Sequence, residues 1–487
     1  MAVQQEGMFN ISSFSGGLNQ YVAEGMLKSN EAVKCINCNV DNGSLKSVPI
    51  PVLTNNTGML VRRILPAYGT TERDYFYTAN NRLYNVLGHN IYNLKSEYVD
   101  SLNFMYKGNN AFIGVTNEDN AFIVSQGSAR KLKNRRIVYN DDGSVKGYVD
   151  ANGELKNTEE EVKTYAPKGS FIELHYDRLW IAGDKENPDR LYFSTASVNG
   201  ADIEDWTSPI EEAEANQHGG FLDVRSYDGG KVIGLKVIFN AIVIFKNKTA
   251  YKVFGNSPDN YELVQLFSSN GAISDKSICV GNNGAYFLND DGIYFYDGTN
   301  TNLVSQKIQG IIKRMNKNYV SNSVGYYYNN KYYLAIPIDN SETNNVLIEY
   351  NPSNSTYVVH EIGNINSIAE VNNELLMAIG TEIKKLEGGT SYLPLYWETS
   401  NYDYGAKNSR KNSSYIYFRG RGTGSVKFRV ITEKKEKSLE IPLTSNETLY
   451  RKKIKNKGRM FKIIIENVNG SNIEITNPQL LTEIDID

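Results

Sequence analysis

The sequence predicts an all-β fold, a β-propeller of about six or seven blades followed by a C-terminal β-sandwich. Three observations lead to this prediction. Tyr and Phe occur 34 and 18 times in 487 residues, and aromatic side chains favour strands because their rings cover a pleated surface. Short apolar runs alternate with polar residues, and Asn, Asp and Gly separate these runs as in tight hairpins. The hairpins recur about every 40–60 residues, which is near the period of propeller blades.

The predicted hairpins share a pattern of two apolar runs around a short polar turn. They lie at residues 74–86, 111–125, 174–194, 237–254, 285–296, 324–336 and 374–386. Within two of these regions the pattern predicts uninterrupted strands, at 174–182 and 237–245. A closed ring of blades would leave few strand edges open to aggregation. Helical spacing predicts only two helices, at 23–37, where Ser29 is the predicted N-cap, and at 304–315.

The chain divides into three predicted parts. Residues 1–60 form an N-terminal segment with a short helix, 61–395 the propeller, and 396–487 the sandwich. The predicted sandwich strands are 415–419, 425–432, 438–443, 460–466 and 472–475. The basic run 451–457 between them is either a charged edge that prevents aggregation or a contact with an acidic neighbour.

Residues 131–168 interrupt the regular spacing of the predicted hairpins. They are dense in charge and contain two further turn signals. We interpret them as an inserted hairpin that projects from the propeller. A long insertion costs little in loop entropy, and loops often carry binding. The alternative is a solvated loop without a partner.

Charge and hydropathy limit the function classes. Lys and Arg total 52 against 55 Asp and Glu, a net charge of -3 with a pI near 6.0. This argues against a general nucleic-acid binder, although it allows a passage through which DNA slides. No signal peptide or membrane segment is predicted, since Lys236 and Asn240 interrupt the most apolar stretch, 232–245. We therefore expect synthesis in the cytoplasm.

The sequence predicts no catalytic, cofactor or metal site. Cys35 and Cys38 form a CxxC pair without a second pair or a suitably spaced His, so we interpret them as structural. Phosphate-binding loops and a nucleophile elbow are absent from the sequence. The turn at 289–292 (NDDG) lacks the Ser and Trp of a sialidase Asp box, and a hairpin explains it without calcium.

Several segments resemble a known family. Residues 13–19 (SFSGGLN), followed by 42–45 (NGSL), resemble the opening of many podovirus tail proteins. Residues 175–183 (HYDRLWIAG), 284–298 (GAYFLNDDGIYFYDG) and 458–461 (GRMF) resemble later segments, in the same order. The family comprises the tail nozzle, tail tubular protein B and packaged-DNA stabilisation proteins of short-tailed phages.

This resemblance implies a non-enzymatic structural protein of the virion tail. Such a protein forms a ring, typically a hexamer, below the portal and adaptor proteins. The ring retains packaged double-stranded DNA and provides the conduit for its ejection. The candidate interface residues, taken from the opening motif and the insertion, are Gly16, Gly17, Asn19, Arg135, Arg136, Asp141 and Asp142.

Two other functions compete with the conduit ring. A receptor- or glycan-binding propeller is suggested by the abundance of Tyr, since sugars stack on aromatic faces. A glycosidase on the same fold would need paired carboxylates, and the missing Asp boxes count against it.

Overall fold

A computed structural model describes residues 3–66, 74–79, 82–87, 90–93, 102–107, 110–115, 121–125, 128–131, 136–139, 145–149, 155–156, 169–184, 186–196, 218–225, 230–268 and 270–486. Strands dominate these residues, so the prediction of an all-β fold is confirmed. The helical turns are short, and the described ones are Glu24–Met26, Pro258–Asn260, Asp275–Ser277, Ser305–Ile308, Gln309–Ile312 and Val320–Asn322. No helix in the described part of the chain is long and apolar enough to span a membrane.

Groups of four antiparallel strands recur along the described chain, and we number them units 1 to 7. Their strands are Val61–Pro66, Tyr75–Ala79, Arg82–Leu87 and Asn90–Asn93 in unit 1; Leu102–Lys107, Asn110–Val115, Ala121–Ser125 and Ser128–Lys131 in unit 2; Phe171–His175, Arg178–Ala182, Arg190–Phe193 and Gly220–Asp223 in unit 3; Val232–Ile238, Ala241–Lys246, Thr249–Phe254 and Glu262–Ser268 in unit 4; Cys279–Gly281, Gly284–Asn289, Gly292–Tyr296 and Thr301–Leu303 in unit 5; Val324–Tyr328, Lys331–Ile336, Val346–Asn351 and Thr356–His360 in unit 6; and Ile365–Val371, Glu374–Ile379, Glu382–Lys385 and Val52–Asn56 in unit 7.

The units contact one another in chain order, mostly through their first strands. Units 4 and 5 share a core that contains Phe245 and Phe287, whose ring centroids are 5.3 Å apart. The first strand of unit 7 contacts the first strand of unit 1, so the series closes on itself. Unit 7 is completed by Val52–Asn56, which precedes unit 1 in the chain. This arrangement is propeller-like, because a strand from before unit 1 completes the last unit and so links it to the first.

Two predicted strands, at 174–182 and 237–245, are wrong, because each region forms a hairpin. The turns are Tyr176-Asp177 and Phe239-Asn240, and all four residues have φ between 47° and 59°. Both central residues of a type I′ turn need positive φ, which Asn and Gly adopt most readily. Aromatic residues at the first turn position hide the turn, since their usual preference is for strands.

The helix predicted at 23–37 is also wrong. After the turn Glu24–Met26, the chain forms the strands Glu31–Ala32 and Lys34–Ile36. The first pairs with Gly17–Leu18, and the second lies between two distant strands, so tertiary hydrogen bonds override the local helical pattern. The helix predicted at 304–315 is present only in part, as the 3-10 turn Ser305–Ile308 and the short α-helix Gln309–Ile312.

A nine-stranded sheet extends unit 6 into the C-terminal region. Beyond Thr356–His360 its order is Lys34–Ile36, Tyr396–Glu398, Lys462–Asn467, Ser425–Ile431 and Glu436–Pro442. A seven-stranded sheet has the order Thr448–Lys453, Lys411–Gly422, Ile473–Ile486, Leu45–Ser47 and Cys38–Asn39, with Val3–Asn10 paired to Ile473–Ile486 and Lys457–Gly458 to Lys411–Gly422. Both sheets contribute to one core cluster, which contains Trp397, Phe418 and Phe428.

The C-terminal strands begin and end differently from the prediction. Lys411–Gly422 and Ile473–Ile486 are much longer than predicted, and Thr448–Lys453 was not predicted as a strand. In the insertion, Arg136–Tyr139 pairs with Val145–Val149, which pairs with Leu155–Lys156. The turn at 141–143 lies outside the described residues.

Candidate functional site

The predicted interface residues of the opening motif lie inside the chain. Gly16, Gly17 and Asn19 are all buried. Gly17 has φ +60°, and a Cβ there would lie 2.5 Å from Cγ2 of Thr356 and 2.7 Å from the carbonyl oxygen of Tyr357. Only glycine therefore allows the motif to approach the last strand of unit 6 so closely.

The side chain of Asn19 serves the same local packing. Its Oδ1 accepts a hydrogen bond from the backbone N–H of Tyr21 (3.0 Å), and the backbone N–H of Asn19 donates to the carbonyl of Ala32 (2.9 Å). Nearby, Nζ of Lys307 lies 3.4 Å from the buried carboxylate of Glu31. The motif thus fixes the N-terminal segment onto unit 6 and the helical turn at 305–308. The contact with another copy stays a prediction.

The other predicted interface residues belong to the insertion. Arg135, Asp141 and Asp142 lie outside the described residues, and Arg136 begins the strand Arg136–Tyr139. Their interface role also stays a prediction.

A buried charged cluster joins the N-terminal segment to unit 6. Nζ of Lys331 lies 2.6 Å from Oδ2 of Asp41 and 2.6 Å from Oε1 of Glu349, and Nε2 of His360 lies 3.1 Å from Oε2 of Glu349. Burial alone would raise the pKa of Glu349, but His360 and Lys331 lower it to about 2. Each charged group of the cluster has a partner of opposite charge within it. The cluster is therefore better suited to holding two parts of the chain together than to transferring a proton.

A second group of charges connects units near their first strands. Nη1 of Arg63 in unit 1 lies 3.4 Å from Asp275, and Nζ of Lys236 in unit 4 lies 3.2 Å from Glu173 in unit 3. Burial raises the pKa of Glu173, although Lys236 and Arg63 lower it. Burial likewise raises the pKa of Cys279 in unit 5 to about 12, so this thiol is a poor nucleophile. These pairs connect different units.

The sequence interpretation missed this group, although one signal was present. Lys236 interrupts the most apolar stretch of the chain, and a lysine within such a stretch needs a partner when it is buried. Which carboxylate would provide that partner depends on the ring and could not be read from the sequence.

Hydrogen bonds join the first hairpin turns of neighbouring units. Nδ2 of Asn240 donates to the hydroxyl of Tyr176 (2.9 Å), Nδ2 of Asn282 to Oδ1 of Asn330 (2.8 Å), and the hydroxyl of Tyr328 to the carbonyl of Asn373 (2.8 Å). Two aromatic side chains on this turn face are exposed, Tyr176 by 41% and Phe239 by 50%.

The CxxC cysteines are buried and not disulfide-bonded. The thiol of Cys38 lies 3.2 Å from the carbonyl oxygen of Ile36 and 3.4 Å from that of Tyr396, and burial raises the pKa of Cys35. Among the described residues, no three His, Cys, Asp or Glu side chains form a group that could hold a metal ion.

A cavity of about 480 Å³ lies beside the C-terminal part of the nine-stranded sheet. Several of its polar groups already have partners. Nζ of Lys462 lies 2.8 Å from Glu398, the hydroxyl of Tyr396 donates to Glu398 (2.8 Å), and Nε of Arg429 donates to Glu436 (2.7 Å). A polar ligand would have to displace these contacts.

Comparison with known proteins yields no family. The sequence matches no protein family and no curated protein. Among solved structures, the chain is similar to the Neurospora crassa Pan2 WD40 domain (8% identity, 69% of this chain and 91% of that chain, TM-score 0.38). It is also similar to an exo-beta-1,3-galactanase from Phanerochaete chrysosporium (7% identity, 79% and 96%, TM-score 0.26) and to apo AztD from Citrobacter koseri (12% identity, 61% and 85%, TM-score 0.35). At TM-scores below 0.5 these likenesses carry no inference about binding or activity.

Proposed function

We propose that this chain is a non-enzymatic structural protein of a phage tail, which forms a ring that retains packaged DNA and provides the conduit for its ejection. In this proposal units 1 to 7 are the seven blades of one propeller, and the two C-terminal sheets are a β-sandwich. Other copies of the chain, portal-adaptor proteins and further tail proteins are its partners. The ordered resemblance of residues 13–19, 175–183, 284–298 and 458–461 to podovirus tail proteins supports this proposal.

The observation that carries the proposal is the nine-stranded sheet. It continues from unit 6 through Lys34–Ile36 into the C-terminal strands, so backbone hydrogen bonds join the two parts of the chain. A tail component has to transmit force along the particle, and a continuous sheet couples its parts without a flexible linker. The charged clusters described above pair internally, which is expected of a scaffold.

The ion pairs that connect the units also bear on the path of DNA. Lys236–Glu173 joins the first strands of units 4 and 3, and Arg63 on the first strand of unit 1 pairs with Asp275 in the helical turn before unit 5. DNA passing through one chain would have to break both pairs. The proposed conduit therefore lies between copies of the chain, which pack about a common axis.

Immunogold electron microscopy of particles from the source phage tests the proposal. We expect an antibody against this chain to label the axial tail vertex. Label on peripheral appendages would contradict the conduit and favour receptor binding. Absence of label from intact particles and from detergent-opened tails would contradict the virion assignment.

Receptor-glycan binding is a second candidate function, favoured by the exposed Tyr176 and Phe239 on the turn face. Aromatic rings with adjacent amide groups suit sugar recognition. Phe239 occupies the first turn position of its hairpin, where units 6 and 7 carry Asn329 and Asn372. Phe239→Asn should preserve folding, because Asn tolerates positive φ better than Phe. Loss of binding to host wall sugars in this variant would support the candidate, and unchanged binding or none in the parent protein would dismiss it.

A further inference from the structure

The seven-stranded sheet ends in a strand that has no neighbour on its outer side in the described part of the chain. This strand is Thr448–Lys453, and its inner neighbour is Lys411–Gly422. Just beyond it, the backbone N–H of Ile454 donates to the carbonyl of Ser414 on that inner neighbour (3.1 Å). Successive residues of an antiparallel strand direct their backbone groups to opposite sides. The residues whose N–H and C=O point outward, which we call the open edge, are therefore Leu449, Arg451 and Lys453.

The open edge combines unpaired positive charge with an exposed apolar side chain. Arg451 and Lys453 are exposed, and neither forms an ion pair with a described carboxylate, whereas Arg421 and Arg429 of the same two sheets each pair with a glutamate (2.8 and 2.7 Å). Leu449 is 64% exposed. Further exposed cations beside the edge are Lys452, Lys455, Lys457 and Arg459. The edge is thus complementary in charge to an anionic partner.

A second edge strand of the C-terminal region shows how this chain closes an edge. Glu436–Pro442 ends in a proline, and its Glu436 pairs with Arg429, which are common protections against strand addition. Thr448–Lys453 lacks a proline and keeps a continuous register with its neighbour over six residues. Its like charges repel a basic strand and attract an acidic one, so they select a partner strand by its charge.

The side chain of Arg451 is also held in position. Its guanidinium lies 4.1 Å from the ring centroid of Tyr415 and 5.6 Å from that of Tyr417 on the neighbouring strand. A cation fixed over aromatic rings loses less side-chain entropy when it binds a carboxylate than a freely rotating one does.

We propose that the open edge binds an acidic, extended segment of a partner protein, which joins the seven-stranded sheet as a further strand. Main-chain hydrogen bonds provide the affinity in this mode of recognition, and alternate side chains provide the specificity. Because alternate residues share one face of a sheet, the segment carries acidic residues opposite Arg451 and Lys453 and an apolar residue opposite Leu449. A nucleic acid fits less well, since it has neither backbone amides for the open edge nor an aliphatic side chain for Leu449. This inference goes beyond the proposed tail function and does not depend on it.

Fluorescence anisotropy with the full chain and a labelled synthetic peptide tests the inference. In the peptide, two glutamates and one isoleucine alternate with threonines, and it is made in both residue orders because an added strand can run in either direction. We expect one order to bind at low salt and to bind more weakly as salt rises, since exposed charges are screened. Replacing both glutamates by glutamine should weaken binding by on the order of tenfold or more.

Charge reversal on the protein locates the binding surface. Arg451→Glu combined with Lys453→Glu should weaken peptide binding by on the order of tenfold or more. The matched control combines Lys434→Glu and Lys437→Glu, which change two exposed lysines on the hairpin of the other C-terminal sheet. This control should bind like the parent protein. Equal melting temperatures of the variants would show that both are folded.

Backbone methylation of the peptide separates strand addition from simple charge attraction. Only one alternate set of peptide N–H groups faces the sheet, so N-methylation of that set should abolish binding and N-methylation of the other set should preserve it. Equal binding of both methylated peptides, or no binding of either residue order at about 1 mM peptide, would overturn the inference. So would tighter binding of a short DNA oligonucleotide at the same edge, which would assign the edge to nucleic acid. Self-association of the parent chain that the double edge variant abolishes would instead assign it to a second copy.

Discussion

Nζ of Lys331 lies 2.6 Å from the carboxylate of Asp41, although 290 positions separate the two residues in the chain. Asp41 belongs to the N-terminal segment and Lys331 to unit 6, so the contact holds together parts of the chain that are distant in sequence. The side chain of Lys331 is only 13% exposed and also reaches Glu349. It is therefore the residue on which the joint depends most directly.

Lys331→Met should destabilise the protein by about 3–5 kcal/mol, because it leaves the carboxylates of Asp41 and Glu349 without their cation. Chemical denaturation at neutral pH measures the loss. The control is Arg314→Gln, which removes a pair with Asp339 whose side chains are 52% and 55% exposed. An exposed pair contributes about 1 kcal/mol or less. Equal losses in the two variants would contradict the structural role assigned to Lys331.

The low pKa of Glu349, about 2 in the folded protein against 4.5 as its ordinary value, predicts a loss of stability in acid. A carboxylate with a depressed folded-state pKa stabilises the fold above its unfolded-state pKa, and this contribution disappears as the pH falls through its folded-state pKa. The loss should therefore occur between about pH 4.5 and pH 2 and amount to about 3 kcal/mol.

Denaturation of the parent protein and of Glu349→Gln across that pH range isolates this contribution. The variant should be less stable at pH 7 and should lose less stability on acidification. An identical pH dependence in both proteins would show that other carboxylates determine the acid response.

Gly17→Ala should destabilise the fold by about 2–4 kcal/mol, since strain at positive φ is joined by a clash with Thr356 and Tyr357. Gly58→Ala is a matched control, because Gly58 has φ +66° but nothing within 4 Å of a built Cβ. The control should cost only about 1 kcal/mol. Thermal or chemical unfolding compares them, and a similar cost at both positions would mean that close packing of the opening motif is unimportant.

The thiols of Cys35 and Cys279 should react slowly with Ellman's reagent in the folded protein. Burial raises both pKa values, which keeps the thiols protonated near neutral pH. Their modification should follow global unfolding as denaturant is added. Rapid modification under native conditions would contradict the raised pKa values of these two thiols.

The local parts of the fold were well predicted from the sequence. The hairpins at 285–296 and 324–336 have their turns where Asn, Asp and Gly lie between apolar runs, because turn chemistry is a property of neighbouring residues. The hairpins with turns at Tyr176-Asp177 and Phe239-Asn240 were missed. Their aromatic residues follow the local preference of a strand while the backbone adopts a turn.

The candidate site was predicted less well than the fold. Gly16, Gly17 and Asn19 stood out because their motif is recognisable, but the position of Gly17 against unit 6 depends on residues more than 300 positions away. Neither Arg63 nor Glu173 was singled out, since each gains its significance from a partner on another unit.

The sequence by itself determined that the chain is all-β, where most hairpins turn, and that residues 451–457 form a basic run. These properties follow from residue type, alternation and charge, which act over a few positions. Only the tertiary structure decided that Val52–Asn56 completes unit 7 and that Lys34–Ile36 forms a strand within a nine-stranded sheet. Such pairings place residues far apart in the chain side by side, and their hydrogen bonds outweigh the local helical preference that the sequence of Lys34–Ile36 suggests.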